Sequence, residues 1–479
     1  MEYCCGRKTT RRALLLPLLL AAGAWCWSSR DRKGGFEVCR GRATAIVVGG
    51  VLLPHGDFAL DPTFFANGTL EREVANDVAR GARHVGLWLV ERQHHRTLVP
   101  TNAAGEKNNT TKDQTRNSTD DEPLIVLMTT PHGIKLDYEY GIYISSKGSG
   151  TATIGGDCTG FRDTSGYSGR RGKITKRFLN GQWTATKQQD HHHCQHKPYN
   201  MTLEHIDLAP ISLAQDLLTN LRRDKNHPVS GVYSYNDEAP IPLNWGEIVP
   251  LLLLPTNFAQ KRILPLIWTF PYRRYNHSVE MVPELLRVGA DIMQWARQRP
   301  EKIAILVSGD LSHTHQASGP YGYSAASALY DEAIGRWAGG NINTNSNSEK
   351  FLRSWNPCRP EAANALLNRA RELQPDAKSC GFTGYVMWHG MMCSSSPSSI
   401  LTKDSPATTT PPTTSNGIHH ASSFIGDDRI TKFDSRVFVD RNVSYYGMIG
   451  AIFEPYLASD DDRNRVDKNI DYNVRNEDK

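Results

Sequence analysis

Three short runs of apolar and β-branched residues constrain the fold of this chain more than any other feature. They cover residues 44–53, 124–130 and 302–308. Unbroken apolar runs of this length are typical of strands that are buried on both faces, as in the parallel sheet of an α/β protein. With 39% hydrophobic residues, the chain has enough apolar material to build such a core.

The segments around these runs show the patterns of helices and of further strands. Helices are predicted at residues 70–94, 279–297, 325–337, 361–372 and 383–392, and strands at residues 248–254, 262–270 and 436–453. Strands that alternate with helices indicate an α/β fold around a mostly parallel central sheet.

Four polar stretches rich in Asn, Ser, Thr, Gly or Pro interrupt this pattern. They are residues 102–122, 157–200, 339–350 and 394–430, and their composition predicts surface insertions that are mostly disordered. Without them, roughly 300 residues remain between positions 43 and 456, which fits one large α/β domain. Residues 459–479 form a charged tail.

The N-terminus has the pattern of a secretory signal. An uncharged run at residues 13–27 follows a basic stretch, and Ala22-Gly23-Ala24 offers a small-residue cleavage pattern. These features predict a signal peptide or signal anchor within residues 1–33, and hence the secretory pathway or a membrane anchor. A disordered apolar N-terminus on a cytoplasmic protein is the alternative. Seven N-x-S/T sequons are compatible with a glycoprotein: Asn67, Asn108, Asn109, Asn117, Asn200, Asn276 and Asn442.

Charge and cysteine content exclude several classes of protein. Residues 1–33 carry the whole formal net charge of +5, so the basic balance does not indicate a nucleic-acid partner. One segment approaches the length of a membrane span, which excludes a polytopic membrane protein. The nine cysteines include no C-x-x-C, which argues against a zinc ribbon. Cys194 and Cys358 are candidates for one disulfide, with their distance left open.

Each of the three predicted buried strands ends in a turn that carries a histidine, namely His55, His132 and His313. In α/β sheets, ligands bind outside the carboxyl ends of the strands. Two neutral imidazoles at such an edge suit iron, zinc or copper, and a third, unligated histidine nearby suits proton transfer. The dense His and Cys run at residues 191–196 lies in a polar insertion and is predicted to bind divalent cations only adventitiously.

These segments resemble the class III extradiol ring-cleavage dioxygenases, the LigB superfamily. VVGGVLLPHGDFALDP, from residue 47, is similar to the family's first strand and first metal histidine, here His55. LIVLMTTPHG, from residue 124, is similar to the second strand and second metal histidine, here His132. ILVSGDLSHTHQASGPYGY, from residue 305, resembles the segment of the acid/base histidine, here His313. With WGEIVPLLLLP and YYGMIGAIF, the resemblance runs from residue 44 to residue 455.

Two departures from the family pattern concern the site. Family members place a glutamate before Cys-Gly as the third iron ligand, whereas this chain has Ser379 before Cys380 and Gly381. Asn244-Trp245 stands where the family often has Asp-His. The related Memo proteins use two histidines and a cysteine, and Cys380 matches that cysteine. A buried structural cysteine is the alternative for Cys380.

The resemblance implies a non-haem oxygenase with a mononuclear metal. Its implied ligands are His55, His132 and Cys380, its metal is Fe(II) with zinc or copper as alternatives, and its substrates are a catechol-type aromatic and O₂. His313 is the implied acid/base. Asp310 and Ser312 are expected either to orient His313 or to cap the turn that follows them.

Two further functions stay open. The first is a Memo-like metal-binding redox or regulatory protein, and the second is a pseudoenzyme that keeps the fold as a binding module. The oxygenase and the Memo-like protein both predict one metal at His55 and His132, but only the oxygenase predicts catechol turnover. None of the three implies a nucleic-acid partner, and a membrane enters only through the N-terminal anchor.

Overall fold

The apolar runs predicted as buried strands lie side by side in one eight-stranded sheet of the computed structural model. The structure describes residues 47–91, 122–155, 198–236, 238–254, 263–272, 277–340, 355–393 and 433–455, and the backbone alone of residues 176–179, 182–185, 431–432 and 456–457. The described residues belong to one compact unit that begins at Ala45.

The large sheet is mostly parallel. In chain order the strands are β1 (Val47–Leu53), β2 (Leu124–Thr130), β3 (Tyr140–Ile144), β4 (Lys147–Ile154), β5 (Lys176–Leu179), β6 (Gln182–Ala185), β7 (Tyr199–Asp207), β8 (Val229–Tyr233), β9 (Ile241–Pro242), β10 (Ile263–Thr269), β11 (Lys302–Ser308), β12 (Thr431–Val443) and β13 (Tyr446–Leu457). The spatial order of the large sheet is β12-β13-β1-β11-β2-β10-β3-β8. Its centre, β1-β11-β2-β10, is parallel throughout. The hairpin β12–β13 adds to β1, and β3 adds to β10, both antiparallel.

Helices cover both faces of this sheet. They are α1 (Leu70–Glu91), α2 (Ile211–Thr219), α3 (Trp245–Leu252), α4 (Val282–Ala296), α5 (Ala326–Gly339), α6 (Pro360–Asn364), α7 (Arg371–Ala377) and α8 (Phe382–Cys393). Along β11, Ile303 and Ile305 belong to the core with α4 and α8, while Ala304 and Leu306 belong to the core with α1 and α3. Because successive strand side chains point to opposite faces, both faces are apolar, and the α/β fold with a mostly parallel sheet is confirmed.

The strand register aligns the ends of the three strands that precede the histidines. Leu53 of β1 pairs with Ser308 of β11, and Val307 of β11 pairs with Thr129 of β2. Since these strands are parallel and end level with one another, the turns that follow them leave from the same edge of the sheet.

The predicted strand at residues 248–254 is wrong, because this segment forms helix α3. This helix is buried on several sides, so its residues are apolar throughout and show neither a helical nor a strand period. The sequence did contain a sign of a helix start, because Asn244 and Glu247 have the spacing of a capping box. In the structure, the Glu247 side chain accepts the backbone N–H of Asn244, as in one half of such a box.

Parts of the polar insertion predicted at residues 157–200 form strands. β5 and β6 pair in antiparallel fashion, and the last two residues of the insertion begin β7. β7 pairs with β4 and β4 with β9 in a small separate sheet that the sequence did not predict. Residues 102–121, 341–350 and 394–430 of the other insertions lie outside the described residues.

Within the described ranges, none of the helices combines the length and the apolar character that a membrane span requires. The signal peptide or anchor predicted for residues 1–33, and the charged tail at 459–479, lie outside the described residues.

One disulfide joins the segment before α6 to the end of α8. Cys358 bonds to Cys393, with 35 positions between them. Cys358 therefore has a partner other than Cys194, which the sequence offered as a candidate. The closed loop contains Cys380, which is buried and carries a free thiol.

Candidate metal centre

Histidine-bearing turns meet at one edge of the large sheet. β1, β11 and β2 are parallel neighbours, so the turns that follow them start side by side. The imidazole rings of His55 and His132 lie 4.8 Å apart between centroids and are nearly perpendicular, at 87°. The structure thus brings these two predicted ligands together.

The turn before α8 brings a thiol to the same place. Sγ of Cys380 lies 3.1 Å from Nε2 of His55, and the candidate ligand atoms of His55, His132 and Cys380 all lie within 4.8 Å of one another. The neighbouring Ser379 hydroxyl instead donates a hydrogen bond to the carbonyl of Asp310, 2.9 Å away. Cys380 therefore faces the imidazoles, whereas the Ser379 hydroxyl bonds to backbone.

Asp310 adds a carboxylate to this cluster. Its Oδ1 accepts the backbone N–H groups of His55 and Gly56, at 3.0 and 3.3 Å. Its Oδ2 lies 3.4 Å from Nε2 of His55. Asp310, His313 and Cys380 form a second set of ligand atoms within 4.8 Å of one another. Asp310 was predicted to orient His313 or to cap the following turn; its bond to the turn after β1, which joins residues 255 positions apart, was not predicted.

His313 lies beside the cluster among tyrosine rings. Its imidazole stacks on Tyr321 at 5.6 Å between centroids and meets the rings of Tyr445 and Tyr446 edge-on, at 6.3 and 6.1 Å. The backbone N–H of His313 donates to the carbonyl of Ala377 at 2.8 Å. This bond ties the turn after β11 to the end of α7.

Ser312 bonds to a second histidine of the same turn. Its Oγ lies 2.8 Å from Nε2 of His315, and Oδ2 of Asp331 lies 2.6 Å from the same nitrogen. Oδ1 of Asp331 accepts the backbone N–H of Ser312 at 2.9 Å. In a nucleophile relay the hydroxyl and the carboxylate use different ring nitrogens, so this trio braces the turn rather than activating Ser312. Asp331 and His315 were not among the site residues predicted from the sequence, although His315 lies two positions after His313.

Ser308 determines the tautomer of His55. Its Oγ donates to the carbonyl of Gly246 at 2.7 Å and lies 2.9 Å from Nδ1 of His55. A hydroxyl has one proton and a carbonyl only accepts, so Oγ accepts the Nδ1–H of His55. The neutral imidazole then keeps its lone pair on Nε2, the atom that faces Cys380.

Trp245 covers both imidazoles from one side. Its ring stacks on His132 at 4.3 Å between centroids and meets the ring of His55 edge-on at 4.6 Å. Trp245 is the first residue of α3, and it is 37% exposed. An indole at this position gives the cluster an apolar wall that carries no titratable group.

Burial keeps the three imidazoles and the Cys380 thiol neutral when no cation is bound. It lowers the pKa of His55 well below its ordinary value, and the nearby His132 and His313 add to this effect. Burial also lowers the pKa of His132 to about 3 and that of His313 to about 4. Burial, and then the charge of Asp310, raise the pKa of the Cys380 thiol. A cation that binds Cys380 therefore has to displace the thiol proton.

The donor set fits a transition-metal ion. Metal–nitrogen and metal–sulfur bonds of about 2.0–2.3 Å place neighbouring ligand atoms roughly 3–4 Å apart. The 3.1 Å between Nε2 of His55 and Sγ of Cys380 lies within that range. Two imidazoles and a thiolate are accepted by iron, zinc and copper.

A comparison of the chain with models of known protein families gave no match, and a comparison with curated proteins gave none of significance. The His and Cys run at residues 191–196 lies outside the described residues. The candidate site is therefore interpreted from its own geometry and from the motifs in the sequence.

Proposed function

We propose that this chain is a metal-dependent oxygenase of the extradiol type, which inserts O₂ into a catechol-type aromatic. The observation that carries the proposal is the convergence of His55, His132 and Cys380 within 4.8 Å of one another, with His313 beside them. The strand-end motifs, through their resemblance to the LigB superfamily, point to the same activity.

His55, His132 and Cys380 would hold the metal. Nε2 of His55 carries the lone pair, since Ser308 fixes the proton on Nδ1. Oδ2 of Asp310, 3.4 Å from that Nε2, supplies the carboxylate that Ser379 lacks. The bound metal would supply Lewis acidity and redox capacity toward the catechol oxygens and O₂.

His313 is the acid/base of this proposal. Burial lowers its pKa to about 4, so the imidazole is neutral near pH 7 and free to accept a proton from a catechol hydroxyl. The stacked ring of Tyr321 limits its rotation. The rings of Tyr321 and Tyr446, with Trp245 on the imidazole ligands, offer the aromatic walls on which a planar substrate packs.

A Memo-like metal protein without ring cleavage is the second candidate. The orientation of Cys380 favours it, because Sγ faces His55 while the Ser379 hydroxyl bonds to backbone. A thiolate is softer than a carboxylate, and it shifts the preference of a site toward zinc, copper or a thiolate-ligated iron.

The test is anaerobic purification, Fe(II) reconstitution and metal analysis, followed by a panel of catechols under O₂. The oxygenase should bind one metal per chain, consume one O₂ per catechol and release a yellow ring-fission product. His313→Gln should keep the metal and lose about 10²–10⁴-fold in turnover. His389→Gln, another buried histidine, is the matched control and should retain activity.

Other outcomes select the other functions. One metal per chain without turnover of any catechol would overturn the oxygenase in favour of the Memo-like protein. A wild-type chain that retains no metal would contradict both and leave a binding module.

A further inference from the structure

Glu247 carries a buried carboxyl group next to the turn that carries His132. Its side chain is fully buried. Oε1 accepts a hydrogen bond from the Tyr143 hydroxyl at 2.8 Å, and Oε2 accepts one from the backbone N–H of Asn244 at 2.7 Å. Neither Glu247 nor Tyr143 was among the site residues predicted from the sequence.

The contact with Tyr143 links Glu247 to the His132 turn. The Tyr143 hydroxyl donates a hydrogen bond to Glu247, and its oxygen accepts the backbone N–H of Ile134 at 2.7 Å. A Cβ placed on Gly133 would lie 2.6 Å from Oε1 of Glu247, so the backbone of the turn packs directly on the carboxyl group. The position of residues 132–134 therefore depends on this buried pair.

The contact with Asn244 links Glu247 to the first turn of α3. That turn presents Trp245 to both imidazoles, at 4.3 and 4.6 Å between ring centroids. It also presents the carbonyl of Gly246, which accepts the Ser308 hydroxyl that fixes the tautomer of the first imidazole. One carboxyl group thus reaches both proposed metal-ligating histidines through two separate paths.

A helix cap alone does not account for a buried acid at this position. Exposed Asn, Asp or Ser residues cap helices without being desolvated, whereas the fully buried carboxyl group of Glu247 is removed from water, which costs free energy that an exposed cap does not. The Tyr143 hydroxyl also takes no part in capping α3, since it bonds to Glu247 and to the backbone of a different turn.

We propose that Glu247 is a positioning residue that holds the imidazoles of His55 and His132 in the orientation that binds the metal. It acts through Tyr143 on one side and through the first turn of α3 on the other. This assignment rests on the metal centre proposed above and adds to it the group that pre-orients its nitrogen ligands.

Cobalt(II) binding to the full chain tests the assignment. The affinity is measured by competition with a chelator, and the absorption bands of the bound cobalt report the ligand geometry. Glu247→Gln replaces the carboxyl group by an amide and so changes its hydrogen bonds to Tyr143 and Asn244. Tyr143→Phe removes the links to Glu247 and to Ile134. Each variant should weaken Co(II) binding by roughly 10–100-fold and shift its bands. The double variant should lose less than the sum, because both residues act on one turn.

Trp295→Phe is the matched control. Its indole N–H donates to Asp216 at 2.6 Å, between α4 and α2, so this variant removes a partly buried hydrogen bond away from the centre. It should lose stability while it keeps the wild-type affinity and bands. If Glu247→Gln does not fold by circular dichroism, Tyr143→Phe, which leaves the cap of α3 in place, carries the test.

The outcomes separate this inference from the proposed function. Wild-type affinity and bands in Tyr143→Phe and in any folded Glu247→Gln would overturn the positioning role while leaving the metal centre intact. A wild-type chain that binds no Co(II) would overturn the metal centre itself.

Discussion

Sγ of Cys380 lies 3.1 Å from Nε2 of His55, although 325 positions separate the two residues in the chain. The backbone N–H of Asp310 donates to the same sulfur at 3.2 Å. The carbonyl of Asp310 accepts the backbone N–H of Gly381 at 3.1 Å. These two bonds join the turn after β11 to the turn before α8. The position of the thiol next to the imidazole is therefore fixed by backbone hydrogen bonds.

Removing the thiol should release the metal. Cys380→Ala takes away one of the three closest ligand atoms and the negative charge that the sulfur contributes once its proton has left. We expect metal content after desalting to fall from one per chain to near zero. Ser379→Ala is the control, because its hydroxyl bonds to the carbonyl of Asp310, and it should retain the metal. Full occupancy in Cys380→Ala would leave Cys380 as a packing residue.

A glutamate at position 379 should not improve the site. The resemblance to ring-cleavage enzymes alone favours Ser379→Glu as a restored ligand. In the structure, however, the Ser379 side chain is buried against a carbonyl, and a carboxylate there would meet an acceptor. We therefore expect a less stable protein without a gain in catechol cleavage, measured by thermal melting and O₂ uptake. Increased turnover would show that the turn rearranges to present the new ligand.

Ser308→Ala should weaken metal binding without unfolding the protein. The hydroxyl accepts Nδ1–H of His55 and thereby keeps the Nε2 lone pair toward the site. Loss of a group that hydrogen-bonds to a metal-ligating histidine typically lowers the metal affinity by about 10–100-fold. Ser435→Ala is the matched control, since that buried hydroxyl donates to the carbonyl of Trp355 and should leave the affinity unchanged. Equal affinities in the two variants would contradict the tautomer assignment.

Strand ends and motifs were predictable from the sequence because they are local. A buried parallel strand is a continuous apolar run, and a Pro-His-Gly or Gly-Asp-Leu-Ser-His turn directly follows it. Three such turns on a parallel sheet have to emerge at one edge, so the meeting of His55 and His132 could be foreseen from topology alone.

The hydrogen-bonded support of the site could not be predicted, because it depends on contacts between distant segments. Asp310 bonds to the turn after β1, and Tyr143 bonds to Glu247 from a strand that the sequence did not predict. Helix α3 was predicted as a strand because its residues are apolar on all sides. The resemblance already placed Asn244-Trp245 at the site, but only the tertiary packing shows that a helix begins there and that Gly246 and Glu247 support the histidines.

The metal-free protein should be most stable near pH 6.5. Burial lowers the pKa of His132 to about 3 and of His313 and His389 to about 4. The unfolded chain therefore binds protons that the folded chain excludes below about pH 6.5, and stability falls as the pH drops, by about 1.4 kcal/mol per unit for each such histidine.

Burial raises the pKa of Glu247 and of Asp440 to about 8. These acids are protonated in the fold but ionised in the unfolded chain above about pH 4, so their contribution to stability falls as the pH rises from there to 8. Below pH 6.5 this contribution partly offsets that of the more numerous histidines, and from pH 6.5 to 8 it makes the stability fall.

Urea unfolding in the presence of a chelator, from pH 5 to pH 8, measures this profile. His389 lies outside the metal centre, so His389→Gln should remove one histidine's share of the slope on the acid side without changing metal affinity. A stability that rises steadily from pH 8 down to pH 5 would contradict the neutral state assigned to the buried imidazoles.

Loss of the disulfide between Cys358 and Cys393 should destabilise the fold and leave the metal centre intact. The bond closes a loop of 35 residues that contains Cys380, and a closed loop of that length restricts the unfolded chain by about 4 kcal/mol. Cys358→Ser combined with Cys393→Ser should therefore lower the free energy of unfolding in guanidinium by about 4 kcal/mol. The metal affinity of the folded variant should be close to wild type, because the cross-link acts mainly on the unfolded chain.

Wild-type protein in reductant is the control and should match the double variant. Equal stability of the wild type with and without reductant would show that the bond contributes nothing, and a large loss of affinity would show that it positions Cys380 in the native state.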